Sequence, residues 1–334
     1  MKKDVILPFE EKPYTLAYQN SAFPMGIIQT NARENIDPWL ASKYINCRYH
    51  PGNIFDICIA DKWFCVDGKL LYQRVNLEKN LYADLSVDYI QLLREMINLG
   101  FYPYGIYNEE FIPGKNNFQN SYFAHDYLLI GYNDDKQIFY SVGYLANRKF
   151  QKFSIPYDAI KQALGTLREP CIPFCFFKYN DKSKYTFDTD AFLQDLFDYI
   201  NSKTSVKSFR TDTYFGMQAI REMAKDLLLK AKQEHQIDNR YTRALMEHKF
   251  LMEKRIDYIN TNFNLNISVL QENAAKVHRM AETIHLLGLK YLIIRDFSIA
   301  ERILELINKM LALESEYLPV LHDHVKDAQS EGLL

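Results

Sequence analysis

His125 heads an apolar run, in Phe123-Ala124-His125-Asp126-Tyr127-Leu128-Leu129-Ile130. An imidazole so placed could act as a general base or activate a nucleophile, because histidine exchanges its proton near neutral pH. Two nucleophiles are candidates. Cys47, in Tyr44-Ile45-Asn46-Cys47-Arg48-Tyr49-His50, is slightly favoured, since Arg48 and His50 are neighbours in sequence and a nearby cation favours the thiolate. Against it, an isolated cysteine in an aromatic-rich segment is commonly a small buried hydrophobe. Ser21, in Tyr18-Gln19-Asn20-Ser21-Ala22-Phe23-Pro24, is the runner-up, with a helix N-cap as its plainer role. The two-residue strand period puts Asp126 on the face opposite His125, so it is not expected to orient that ring without a bulge. Cys171 and Cys175 share a strand face in Cys171-Ile172-Pro173-Phe174-Cys175, but zinc asks for four ligands and no histidine is close in sequence. His322-Asp323-His324 reads as a solvated C-terminal tail. There is no Gly-x-Gly-x-x-Gly and no Gly-Lys-Ser/Thr, so neither a metal nor a nucleotide cofactor is expected.

The segment from His125 through Gly131-Tyr132-Asn133-Asp134 resembles the histidine strand of papain-like cysteine enzymes. It is closest to the branch holding bacteriocin-leader peptidases and the butirosin-biosynthesis acyltransferase family. Tyr214-Phe215-Gly216-Met217-Gln218-Ala219-Ile220 opening a helix, and Arg240-Tyr241 entering the next, are similar to the helical domain that follows the catalytic domain in the butirosin-type proteins. The resemblance implies a cysteine nucleophile beginning a helix near the N-terminus, the histidine as base, and an acidic residue on the following strand. This chain departs from that pattern twice. Residues 18–24 hold no cysteine, and the acidic position, in Tyr140-Ser141-Val142-Gly143-Tyr144, falls on Gly143. An orienting group must then come from elsewhere, such as a backbone carbonyl or a distant carboxylate.

The elements that would position these residues differ between two halves. Ten of the 11 prolines, nine of the 12 glycines and all five cysteines precede residue 176. Beyond it, breaker-poor stretches cover 213–234, 239–262, 267–287 and 298–314, and apolar residues in 241–259 recur at helical spacing. Ser298-Ile299-Ala300-Glu301 has the form of a capping box. In the first half, 86–99 reads as an amphipathic helix closed by Gly100, and 156–164 as a shorter one before Gly165. The runs 127–130, 137–140 and 172–177 read as strands, the first two joined by a hairpin turn at Asn133-Asp134-Asp135-Lys136. The expected fold class is α/β (α+β): a papain-like domain with an antiparallel sheet over 1–180, then an all-helical bundle over 186–334 without strands after residue 200.

A chain of 334 residues is long enough for two domains. Its 40 Lys and Arg nearly match 42 Asp and Glu, for a net charge of -2, which argues against nucleic acid as a partner. No secretory leader is evident at Met1-Lys2-Lys3, no uncharged run is long enough for a membrane span, and an odd cysteine count fits reduced thiols, so a cytoplasmic location is expected. Aromatic residues reach 14% and crowd 101–144, which suits either a strand-rich core or a groove for an acyl or peptidyl group. The resemblance implies an acyltransferase of nonribosomal-peptide type that moves an aminoacyl or peptidyl group from a carrier-protein thioester to an amine. A second possibility is a degenerate papain-fold module that docks a carrier protein or peptide intermediate. A peptidase ranks third, because amide hydrolysis suffers most from a missing acidic residue.

Overall fold

The computed structural model describes residues 3–57, 75–77, 88–168, 174–205, 211–263 and 265–332, and elements are numbered among these. The chain divides into two compact units. The first comprises Met1–Pro13, Gln19–Arg33 and Val66–Ser183; the second comprises Tyr14–Tyr18, Glu34–Cys65 and Lys184–Leu334. The second therefore takes in part of what the sequence assigns to the first half, including the segment around Cys47.

The first unit is built on a seven-stranded sheet of β1 (Asp4–Ile6), β4 (Val75–Leu77), β5 (Tyr102–Asn108), β6 (Ala124–Asn133), β7 (Ile138–Tyr144), β8 (Phe150–Pro156) and β9 (Phe174–Phe177). The order is β4-β9-β5-β6-β7-β8, with β1 also on β6, and every pairing is antiparallel. The hairpin forms where Asn and Asp favour it: Lys136 N donates to Asn133 Oδ1 at 2.9 Å and Gln137 N to the Asp134 carbonyl at 3.3 Å. The start of the strand expected over 172–177, with Cys171, lies outside the described residues.

Helix α3 (Tyr89–Asn98) starts at Asp88, whose carboxylate accepts from Ile90 N and Gln91 N, and ends before Gly100, which has a φ of +83°. Residues 86–87 of the expected helix lie outside the described residues. The apolar face of α3, through Ile90, Leu93 and Ile97, joins Ile160 and Ala163 of α4 (Tyr157–Gly165) and the sheet residues Leu129 and Phe139 in one core. Helix α1 (Gln19–Asn31) differs, since Ala22, Phe23, Met25, Ile27 and Ile28 are all fully buried and cover its whole circumference. A helix apolar all round belongs in an interior.

The second unit contains α2 (Asp37–Ala41), α5 (Thr189–Ile200), α6 (Gly216–Glu234), α7 (Asn239–Phe263), α8 (Ser268–Ile294) and α9 (Phe297–Ser330). It is not all helical. A small antiparallel sheet runs β10-β2-β3, from Tyr214–Phe215, Arg48–His50 and Ile54–Asp56. Its β10 lies after residue 200 and corrects the expectation of none there; two aromatic residues pair with Tyr49 and Arg48 just before α6 begins. The capping box fails as well. Asp296 caps α9 through Ser298 N, two positions earlier than the serine reading, and the helix continues past Glu314 because Tyr317, Leu318, Leu321 and Val325 keep its buried stripe going. His322-Asp323-His324 is thus helical, not a tail.

Three buried ionic centres tie the second unit together. Lys249 of α7 donates to both oxygens of Glu314 on α9, at 2.8 Å each, and to Tyr199 Oη of α5 at 2.7 Å. Arg255 donates to the Ala41 and Lys43 carbonyls at 2.8 and 2.6 Å, capping the end of α2. Glu247 accepts from Leu16 N and Ala17 N at 2.9 and 3.0 Å, which is why Tyr14–Tyr18 groups with the helices.

Candidate active site around His125

His125 sits on β6 opposite Tyr107 of β5. On its other side the sheet opens. The β6–β7 ladder begins only at Leu128↔Val142, whereas Gly143 and Tyr144 pair with β8 alone. Gln19, the first residue of α1, fills the gap. Its Oε1 accepts from Tyr144 N at 2.8 Å and its Nε2 donates to the Asp126 carbonyl at 3.0 Å, so one carboxamide replaces the peptide contact that the parted strands lack. Gly143 makes room for it. With a φ of +153°, its backbone favours glycine, and a Cβ there would stand 2.5 Å from Gln19 Oε1.

The open edge also changes where Asp126 points. Contrary to the strand-period expectation, its Oδ1 is 3.5 Å from His125 Nε2 and accepts from Gln19 Nε2 at 3.2 Å. Free of β7 on that side, the carboxylate turns round the strand edge towards the glutamine.

The orienting carboxylate is Glu109, which follows the end of β5. Its Oε1 lies 3.3 Å from His125 Nδ1, and its Oε2 accepts from Asn117 Nδ2 at 2.9 Å. A carboxylate can only accept, and Glu109 at 3.3 Å from Nδ1 is nearer than Asp126 at 3.5 Å from Nε2, so the closer pairing places the proton of the neutral ring on Nδ1 and makes Nε2, beside Asp126, the nitrogen that exchanges it. Burial by itself would raise the Glu109 carboxyl. Hydrogen bonds from His125 and Asn117, with the charges of His125 and Lys115, outweigh burial and hold it below the usual glutamate value. His125 keeps 36% of its side chain exposed, and the exposed Phe123 ring stands 5.4 Å from the imidazole.

Lys115 completes the cluster, almost wholly buried, with Nζ 3.9 Å from Glu109 Oε1 and donating to the Tyr144 carbonyl at 2.6 Å. Its ammonium lies over the Tyr127 ring at 4.6 Å and the Phe153 ring at 5.2 Å. Burial pushes its pKa down to about 8, with Glu109 and Asp126 pulling the other way.

No protein-family model matches the chain, and no curated protein does.

Both expected nucleophiles are buried. Cys47 belongs to the second unit, is fully buried, and places Sγ 3.3 Å from the Gly216 carbonyl oxygen as donor. Burial raises its thiol pKa, the reverse of what a nucleophile needs. Ser21 is buried in the first turn of α1, two positions after Gln19 and therefore roughly 200° round the helix from it. At the helix start, where the resemblance implies a cysteine, stands Gln19, with Nε2 3.5 Å from His125 Nδ1. Among the described residues no group of three His, Cys, Asp or Glu side chains could hold a metal ion; Cys171 lies outside them. No described helix is long and apolar enough to cross a membrane.

Sequence reasoning missed Glu109, Lys115 and Gln19. The resemblance places the acid on the strand after His125, whereas Glu109 follows the end of the strand before it. The antiparallel pairing of 104–108 with 124–128, which no local pattern marks, brings Asn108-Glu109-Glu110 to the end where His125 begins its strand.

Proposed function

We propose that the first unit is a papain-like acyltransferase domain in which a Glu109–His125 dyad acts as general base on the acceptor, with no acyl-enzyme on the path. The observation that carries this reading is His125 Nδ1 at 3.3 Å from a buried, ionised glutamate while a carboxamide occupies the start of α1. An acyl group would pass from a carrier-protein thioester, of the nonribosomal-peptide type, straight to a primary amine. The amine nitrogen attacks the thioester carbon as Nε2 takes its proton; the N–C bond forms, the C–S bond breaks, and the imidazolium returns the proton to the departing thiolate. Thioesters are activated acyl donors, so a positioned base can suffice where amide hydrolysis would need a full nucleophilic triad. Glu109 fixes the ring's tautomer, the role that the third group plays in a nucleophile–base–orienter triad.

The test uses an aminoacyl-loaded carrier protein with n-butylamine as acceptor. His125→Ala is expected to lower amide formation by roughly 10²–10⁴-fold, the range for removing a general base. Cys47→Ala is expected to leave the rate intact, and intact-protein mass to show no acyl adduct. The second reading, a module that binds carrier protein or peptide without chemistry, is favoured by the same Gln19. It takes over if His125→Ala leaves transfer unchanged while the loaded carrier still binds.

A further inference from the structure

Glu109 and Asp126 approach the two imidazole nitrogens of His125, at 3.3 and 3.5 Å. Two flanking carboxylates favour the imidazolium, and an imidazolium cannot take a proton from an acceptor. A base in that setting needs a compensating positive charge that is fixed and shielded from salt. We infer that Lys115 is a positioning residue for His125, a buried ammonium that offsets one of the two carboxylates and so keeps the imidazole available as a base. The inference rests on the dyad reading for its use, but its own test needs no substrate.

The geometry is specific. Glu109 Oε1 is shared between Lys115 Nζ at 3.9 Å and His125 Nδ1 at 3.3 Å, so the ammonium acts on the ring through one oxygen. Lys115 is 2% exposed at its side chain, which screens it little from its neighbours. Its hydrogen bond to the Tyr144 carbonyl and the Tyr127 and Phe153 rings beneath it hold it in place without neutralising it. A Cβ on residue 143 would come within 3.5 Å of Nζ, so the glycine that removes an acid from β7 also makes space for a cation. Among the described residues, the charged groups acting on Lys115 are Glu109 beyond β5 and Asp126 on β6, and those at the His125 ring are the same two carboxylates.

The experiment is a pH titration of the His125 ring nitrogens by 15N NMR in the full chain. Lys115→Met is expected to move the protonation midpoint up by about one pH unit or more, the size of one charge acting at about 7 Å in a medium between water and protein interior. Asp126→Asn is expected to move it down, and the double variant to return near the wild-type midpoint. Lys115→Gln, which keeps a donor for the Tyr144 carbonyl, is expected to shift it as Lys115→Met does. A purely structural lysine would give no such compensation. The inference is overturned if both Lys115 variants fold and leave the midpoint at its wild-type value, or if Asp126→Asn fails to reverse the shift. Loss of transfer in His125→Ala tests the dyad separately, so either idea can fail with the other standing.

Discussion

Replacing Lys249 by methionine isolates the energetic weight of the second unit's buried charges. In the wild type both Lys249 and Glu314 are 0% exposed, and Glu314 takes two bonds from the ammonium and one from Tyr199 Oη at 2.9 Å. Methionine keeps the apolar stem but leaves a carboxylate in the interior with a single hydroxyl donor. Breaking a buried pair from one side costs about 3–5 kcal/mol, because the stranded charge keeps its desolvation penalty without its partner. Set against whole-domain stabilities of roughly 5–15 kcal/mol, that is a large fraction. Urea unfolding at pH 7 measures it, followed at 222 nm for the long helices and by fluorescence of the buried Trp39 in a Trp63→Phe background. Two further outcomes come from the mechanism. The deficit shrinks towards pH 5, since the stranded carboxylate can then take up a proton, and Lys249→Met/Glu314→Leu recovers most of the lost stability. A deficit below about 1 kcal/mol, or one that is independent of pH and not rescued by the double change, would refute the reasoning.

Acid is expected to destabilise the chain through two histidines held neutral: burial pushes His248 well below its ordinary value and His285 down to about 4. Their contribution is intact above pH 6.5 and is lost on acidification, because the unfolded chain then binds protons the fold refuses; the slope is about 1.4 kcal/mol per pH unit for each, read from urea midpoints between pH 7 and 5. His248→Gln should flatten that slope. Gln19→Ala removes both contacts bridging β6 and β7, so amide exchange at Tyr144 N should speed up sharply and stability fall by about 1–3 kcal/mol; unchanged exchange at Tyr144 would show that the carboxamide bridges nothing.

Local pattern made much of this fold legible. The strand carrying His125, its hairpin at Asn133-Asp134 and the long helices after residue 213 are written in turn chemistry and apolar period, which act over a few residues. What stayed hidden depends on contacts distant in sequence. The grouping of residues 34–65 with the helices is such a case, and so is the pairing of Tyr214 with Tyr49, 165 positions apart, which no local propensity encodes. The site divides the same way. His125 is marked by its own strand, but the contacts of Asp126 with Gln19 and the imidazole form where the β6–β7 ladder has ended at Leu128↔Val142, which the two-residue period does not encode. Glu109, Lys115 and Gln19 converge from three separate segments, and only the pairing of β5 with β6 and the entry of α1 bring them together.

The fit of Gln19 against Gly143 also bears on how this site can change over generations. A side chain at 143 collides with the carboxamide, and a shorter residue at 19 leaves the Tyr144 and Asp126 backbones unbridged, so either single substitution is a step downhill in fitness wherever the sheet matters. The two positions form a ratchet. A lineage carrying this glutamine can accept a side chain at 143 or a shorter residue at 19 only by changing both together, and descendants of this chain should be found with both residues kept or both replaced.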